Sequence, residues 1–279
     1  MPRRVGFGRL LTVRAARQGS VIHIDADLEL ALELAKLADE LTLERFRAHD
    51  LFVERKPDTT FVTEADKAVE MLVRDRLAIE RPDDAVLGEE FGSLGVGPRR
   101  WIIDPIDGTA NFVRGVPIWA TLIALEQDGE IRVGVVSAPA LGHTWWAVRG
   151  EGAFVDGRQI VVSGVKELSD AQLFYADVPS WDHFRGSSKE FLQLAREVWR
   201  TRGVGDFWQH MLVAEGAADI AAEAMVNIWD LAAVLVIVEE AGGRFTDLDG
   251  NRTPSGGSAV SSNGLLHDAV LSALRLEGS

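Results

Sequence analysis

The stretch Trp101–Phe112, "WIIDPIDGTANF", opens as an apolar strand and delivers two carboxylates, Asp104 and Asp107, with a proline between them and a glycine after. Trp101, Ile102, Ile103 and Ile106 hold these acids near a core. Asp104 precedes Pro105, so its backbone is pushed to an extended conformation. Pro105 fixes φ and donates no hydrogen bond. The expectation is that the strand stops abruptly here and that Asp104, the carbonyl of Ile106 and Asp107 converge. All three offer hard oxygen donors, which suit magnesium, an ion usually bound by a few carboxylates, waters and a substrate phosphate. Gly108 leaves its backbone N–H open to close approach. A helix starting at Thr109 would turn free N–H groups and a positive dipole end toward an anion. Metal on one side and helix N-terminus on the other describe a phosphate-ester site. The bland alternative is a surface Asp-Gly turn.

Other acids weaken that alternative. "LGEEF" ends an apolar strand on Glu89 and Glu90, "FVTEADKAVE" puts Asp66 at a helix start, and "IWDLAAVLVIVEEAGG" puts Asp230 at the head of the most apolar helix in the chain. Asp66 or Asp230 alone could be a cap. Four such acids together with "DPIDGT" are hard to explain as caps.

Further out, Asp25 or Asp27 begins a helix with Leu30, Leu34, Leu37 and Leu41 at helical spacing. Pro57 and Asp58 break the next segment, and a second helix runs from about Glu64 to before Pro82. Asp128-Gly129 and Asp156-Gly157 mark hairpins in a largely antiparallel sheet. The second half alternates strand and helix, and Gly242-Gly243 closes the apolar helix. The organisation expected is an N-terminal extension over 1–24, an α+β half over 25–165 carrying the metal site, and an α/β half over 166–279 completing it. Stacked sheet-and-helix halves give alternating α and β layers. Trp145 and Trp146 are adjacent on a strand, so one should be core and the other exposed. "GSLGVG" (92–97) has neither dinucleotide-fingerprint nor P-loop spacing and reads as a mobile loop. The six histidines show no metal-ligand spacing and read as surface or core residues.

Composition sets the outer bounds. The formal charge of −14 argues against nucleic acid as a partner. There is no cysteine, which removes disulfides and thiolate sites and is compatible with a reducing, cytoplasmic compartment. No apolar run reaches the ~18 residues of a membrane span. Residues 1–20 hold five arginines and no acid, unlike the rest of the chain.

"GEE", "WIIDPIDGTANF" and "WDLAA…EEAGG", in that order and spacing, resemble the inositol monophosphatase family over about residues 27–276. The resemblance implies a five-layer α-β-α-β-α sandwich of the inositol monophosphatase/fructose-1,6-bisphosphatase type. It also implies Mg²⁺-dependent phosphomonoester hydrolysis with two or three ions per site, lithium sensitivity and a homodimer. Carried over by motif, Glu89, Asp104, Asp107, Asp230 and the Ile106 carbonyl are the implied metal ligands. Asp66, Thr109 and Glu89 are the implied catalytic residues, the first two as the pair that orients or deprotonates the attacking water. The Gly108 and Thr109 backbone is the implied phosphate cradle. Ala110 departs from the threonine common in the family, but Thr109 keeps the hydroxyl next to it.

The substrate-facing residues expected are Asp107, Asp230, Glu223 and Asp206. Glu223 matches a family position that contacts the substrate alcohol. Asp206 opens the helix "DFWQHMLVAEG" and is either a second substrate carboxylate or only an N-cap. A pair of acids suits a cationic alcohol. The wider sequence, notably "VVSAPA", "GDF" and "LVAEGAADIAAE", resembles the actinobacterial histidinol-phosphate phosphatases of this family. Inositol 1-phosphate and broader sugar or nucleotide phosphates are the alternatives, with a non-catalytic phosphate-ligand binding protein as the reading from another class. A chain beginning near Val21 is expected to keep its melting temperature and turnover, because residues 1–20 lack a periodic apolar face. A large drop in either would show that the extension packs on the body.

Overall fold

The computed structural model describes residues 25–56, 60–184 and 186–275. The arginine-rich residues 1–24 and the break at Pro57 and Asp58 lie outside them. Helix α1 (Ala26–Arg45) starts where Asp25 accepts the N–H of Asp27. Two short antiparallel strands, β1 (Val53–Arg55) and β2 (Phe61–Thr63), lead into α2 (Glu64–Glu80).

The main sheet contains β3 (Ala85–Gly88), β4 (Gly92–Leu94), β5 (Arg99–Asp107) and, after the short helix α3 (Thr109–Arg114), β6 (Ala120–Gln127), β7 (Glu130–Ala138), β8 (His143–Val148), β9 (Gly152–Val155) and β10 (Arg158–Ile160). Its order is β10-β9-β8-β7-β6-β5-β3-β4, antiparallel except where β3 runs parallel to β5. Asp128-Gly129 and Asp156-Gly157 both take left-handed backbone angles, as tight hairpin turns require. The second sheet holds β11 (Gln172–Tyr175), followed by α4 (Pro179–His183) and α5 (Ser188–Glu197), then β12 (Arg200–Gly203), α6 (Asp206–Ala214), β13 (Ile220–Ala224), α7 (Ile228–Glu240), β14 (Arg244–Thr246), β15 (Ser258–Ser262) and α8 (His267–Leu274). Its order is β12-β11-β13-β15-β14.

Five layers result. α1 and α2 cover the outer face of the main sheet, with Leu34, Val69 and Val73 packed on Ile103, Ile123 and Val135. α6 and α7 lie between the sheets. α5 and α8 cover the outer face of the second sheet, with Phe191, Leu194 and Val270 on Leu173, Ile220 and Val260. The central place of α7 explains its composition. Leu231 through Val238 are all buried, because sheet side chains meet the helix on both sides. No described helix is long and apolar enough to cross a membrane.

Three expectations are corrected. β5 does not stop at Asp104. It continues to Asp107 through a bulge, with Asp104 opposite Leu122 and Asp107 opposite Ala120. The Ile106 N–H donates to Asp104 Oδ1 at 3.0 Å and the Thr121 hydroxyl donates to the Pro105 carbonyl at 2.8 Å. A bulge tolerates the missing donor of proline and re-aims the acids. Trp145 and Trp146 are both buried, since each face of the sheet carries a helical layer. Residues 92–94, read as part of a mobile loop, form the edge strand β4.

α7 comes close to the main sheet at Gly134 on β7. A Cβ there would stand 2.7 Å from the Ala233 carbonyl and 2.5 Å from Val236 Cγ1 of α7. Gly134→Ala is therefore expected to destabilise the protein by roughly 1–3 kcal/mol, the usual cost of overpacking, read as a lower melting temperature. An unchanged melting temperature would mean that α7 can shift away from the sheet.

Candidate active site

The site forms where the ends of several elements meet. The β5 bulge supplies Asp104, Ile106 and Asp107, and Gly108 then turns the chain into α3. Gly108 has φ +82°, and a Cβ would lie 2.9 Å from the Ile118 carbonyl and 3.1 Å from Asp206 Oδ2. Glycine is therefore needed both for the backbone angle and for the close approach. Phe112 of α3 packs edge-on to Trp119 with centroids 5.0 Å apart, anchoring the helix beneath the site.

One carboxylate oxygen from each of Asp104, Asp107 and Asp230 lies within 4.8 Å of the others, a convergence of hard donors. They line an open cavity of about 380 Å³ shared with Glu89, Ile106, Gly108, Thr109, Asp206, His210, Glu223 and Asp230's neighbours Asn227 and Trp229. Asp66 stands behind Thr109. The Thr109 hydroxyl is 3.2 Å from Asp66 Oδ1 and 2.9 Å from the Ile106 carbonyl.

Asp66 and Asp230 are the third residues of their helices and close capping boxes with Thr63 and Asn227, and each also reaches this constellation, Asp66 through Thr109. Asp66 Oδ2 accepts the Thr63 N–H at 2.8 Å, leaving Oδ1 for Thr109. Asp230 Oδ2 accepts the Asn227 N–H at 2.7 Å at the start of α7. Asp107 does the same for a distant helix: its Oδ2 accepts the Phe207 N–H of α6 at 2.6 Å. Asp206, by contrast, is not the N-cap of α6, a place that Gly205 takes. Its Oδ2 accepts instead from Asn111 Nδ2 at 2.8 Å, and the residue lines the cavity with φ +52°.

Glu89 lines the cavity but stands outside the three-acid cluster. Its carboxylate and that of Glu90 are held by the Lys56 ammonium at 2.7 and 2.6 Å. Glu223, at the end of β13, accepts from Gln209 Nε2 at 2.8 Å and lies 3.2 Å from His210 Nε2.

Burial, and then mutual repulsion, drive these acids upward. Asp104 is pushed well above the usual carboxylate range by desolvation and by the charges of Glu89 and Asp107. Asp107 is pushed well above it by desolvation and by Asp206 and Asp230. Asp206 rises to about 7 and Glu223 to about 8, with burial the leading cause in each. Burial also lifts Asp66 and Asp230 to about 6. His210 is driven down to about 3 by burial, so its ring is neutral. Such a set calls for cationic charge from outside, which a metal ion or an ammonium-bearing ligand supplies.

Three residues that hold the site were not singled out in the sequence. Glu70 is fully buried on α2 and accepts the N–H groups of Glu90 and Phe91, fixing the loop that carries Glu89. Its position one helical turn after Asp66 was the available signal. Lys56 gave none, because its acids lie more than thirty residues away. His210, grouped with the bland histidines, lies on α6 one turn after Asp206. Its Nδ1 is 2.7 Å from Ser261 Oγ.

Residues 24–278 match the inositol monophosphatase family. The chain is 58% identical to a histidinol-phosphatase of Mycobacterium tuberculosis, over 89% of this chain and 97% of that protein. It is 55% identical to a histidinol-phosphatase of Streptomyces coelicolor, over 88% and 95%. Among solved structures, an inositol monophosphatase (IMPase) of Thermotoga maritima superposes with a TM-score of 0.81 at 33% identity, covering 90% of this chain and 97% of that one.

The bonding of Asp206 makes a sharp prediction. Asp206→Asn keeps a residue that tolerates the left-handed backbone and an acceptor for Asn111, and it removes one charge from a repulsive cluster. The variant should melt no lower than the parent. A fall of several degrees would mean that the Asp206 charge itself stabilises the fold, against the repulsion argued here.

Proposed function

The chain belongs to the inositol monophosphatase family, and from that premise we propose that it hydrolyses histidinol phosphate to histidinol and inorganic phosphate, with magnesium, as a step of histidine biosynthesis. It is a phosphoric monoester hydrolase. The observation that carries the substrate is the likeness to two histidinol-phosphatases over nearly their full length. Asp206 and Glu223 support it, since both line the cavity that Asp107 and Asp230 share.

The donor set fits a hard divalent cation. It is all oxygen, and one oxygen from each of Asp104, Asp107 and Asp230 converges within 4.8 Å of the others. Asp104, Asp107 and Asp230 would hold the ion, with Glu89 and the Ile106 carbonyl completing the ligands for two or three ions per site. Lys56 would release Glu89 in that state. Bound there, magnesium supplies positive charge to the phosphoryl oxygens and acidifies water.

The chain's own groups do the rest. The Asp66–Thr109 pair orients the attacking water and receives its proton, with Asp66 held in place by the Thr63 N–H. The Gly108 and Thr109 N–H groups donate to the phosphate at the start of α3. Asp206, Glu223, Asp107 and Asp230 face the leaving alcohol, and the first two accept from its ammonium in charge-assisted bonds. Water adds to phosphorus, the P–O bond to the alcohol breaks, and the alkoxide takes a proton from solvent water to leave as histidinol. The reading includes a cytoplasmic homodimer.

A panel of histidinol phosphate, inositol 1-phosphate, fructose 1,6-bisphosphate and adenosine bisphosphate tests it. Histidinol phosphate should show the highest kcat/KM, chelation should abolish turnover, and magnesium should restore it. Glu223→Gln should raise KM for histidinol phosphate about tenfold, equivalent to ~1.4 kcal/mol. Full activity after exhaustive chelation, or a preference for a neutral polyol phosphate, would overturn the proposal.

A further inference from the structure

Five described non-glycine residues have left-handed backbone angles. Asp128 and Asp156 sit in hairpin turns, and Arg47 follows the end of α1. The other two, Asp206 and Met225, both line the active-site cavity. Aspartate tolerates this conformation through local hydrogen bonds, whereas methionine has no such compensation. Met225 has φ +64° and lies on the turn between β13 and α7, two residues after Glu223 and five before Asp230.

The backbone there is clamped. The N–H groups of Met225 and Val226 both donate to the Gly257 carbonyl, at 3.1 and 3.2 Å. The turn would therefore be met more easily by glycine. Core packing does not explain the side chain either, since Met225 is 60% exposed. A strained, exposed, apolar residue on a cavity wall points to a ligand contact. Phe61, Phe207, Val226 and Trp229 line the same cavity, so its wall offers apolar surface as well as carboxylates.

We propose that Met225 is a specificity-determining residue that packs its thioether against the flat heteroaromatic ring of the leaving alcohol, while the carboxylates hold its ammonium. This rests on the histidinol phosphate reading and deepens it. A thioether makes favourable contact with a ring and adapts to its position. A polyol of similar size would lose water from its hydroxyls against the same wall and gain no partner. Asp206 and Glu223 recognise the amine, and Met225 distinguishes a ring-bearing amine from a simple aminoalkyl chain.

Met225→Gly separates this role from a structural one. Glycine adopts the turn without strain, so the variant should fold and melt about as high as the parent. Steady-state kinetics are measured on histidinol phosphate and on 2-aminoethyl phosphate, which keeps the amine and lacks the ring. The ratio of their kcat/KM values should fall about fivefold in Met225→Gly, through KM for histidinol phosphate, and Met225→Leu should recover most of it. An unchanged ratio, or equal losses on both substrates, would overturn the assignment. So would a loss of selectivity accompanied by a changed sedimentation coefficient, which would make Met225 a subunit contact. If the parent enzyme itself does not prefer histidinol phosphate to 2-aminoethyl phosphate, the substrate reading fails and this inference with it. If the parent prefers it and the variant does too, only the role of Met225 falls.

Discussion

The structure is organised around the burial of carboxylates that repel one another. Asp104, Asp107, Asp230, Asp206 and Glu223 crowd one cavity, and all are shifted toward the protonated form by desolvation. Buried charge is tolerated only where hydrogen bonds or opposite charge compensate it. Here backbone donors at element ends do much of that work. Ile106 serves Asp104, Phe207 serves Asp107, Asn227 serves Asp230, and Thr63 serves Asp66. Each of these acids thus has one oxygen held by main chain, which leaves the carboxylates short of positive charge and pre-arranged to receive it.

That requirement shapes the fold around it. Helix starts and bulges leave backbone N–H groups free, and α2, α6, α7 and the β5 bulge all present such ends to one place. Placing the α6 and α7 starts there puts these helices between the two sheets. An intervening helix must then be apolar on all sides, and Leu231 through Val238 meet that demand. The sheet must come close to it, and Gly134 permits the approach. Glu70 and Lys56 extend the same logic to the loop after β3. One fixes its backbone, and the other neutralises Glu89 and Glu90.

Much of the fold could be read along the chain. The cap at Asp25, the helix from Glu64, the two Asp-Gly hairpins and the glycine closure of α7 each depend on residues within a turn or two of one another. The acids of the site were legible for the same reason, since each ends or begins an element whose pattern is local. Of Trp145 and Trp146 neither is exposed, because alternation tells which face a residue takes but not whether helices cover both faces. The end of β5 was misplaced because proline signals a stop, whereas the hydroxyl of Thr121 on the next strand lets pairing continue past it.

The sequence by itself determined the elements, the order of the acidic motifs and the oxygen-only chemistry of the set, because propensity, capping and turn geometry act over a few residues. Tertiary structure alone decided how those acids are used. Asp107 bonds the start of a helix one hundred residues later, Glu89 is held by Lys56, His210 stands beside Glu223, and Met225 is left exposed on the cavity wall. These depend on which element ends meet, and that is set by packing two sheets and three helical layers together. No local pattern encodes it.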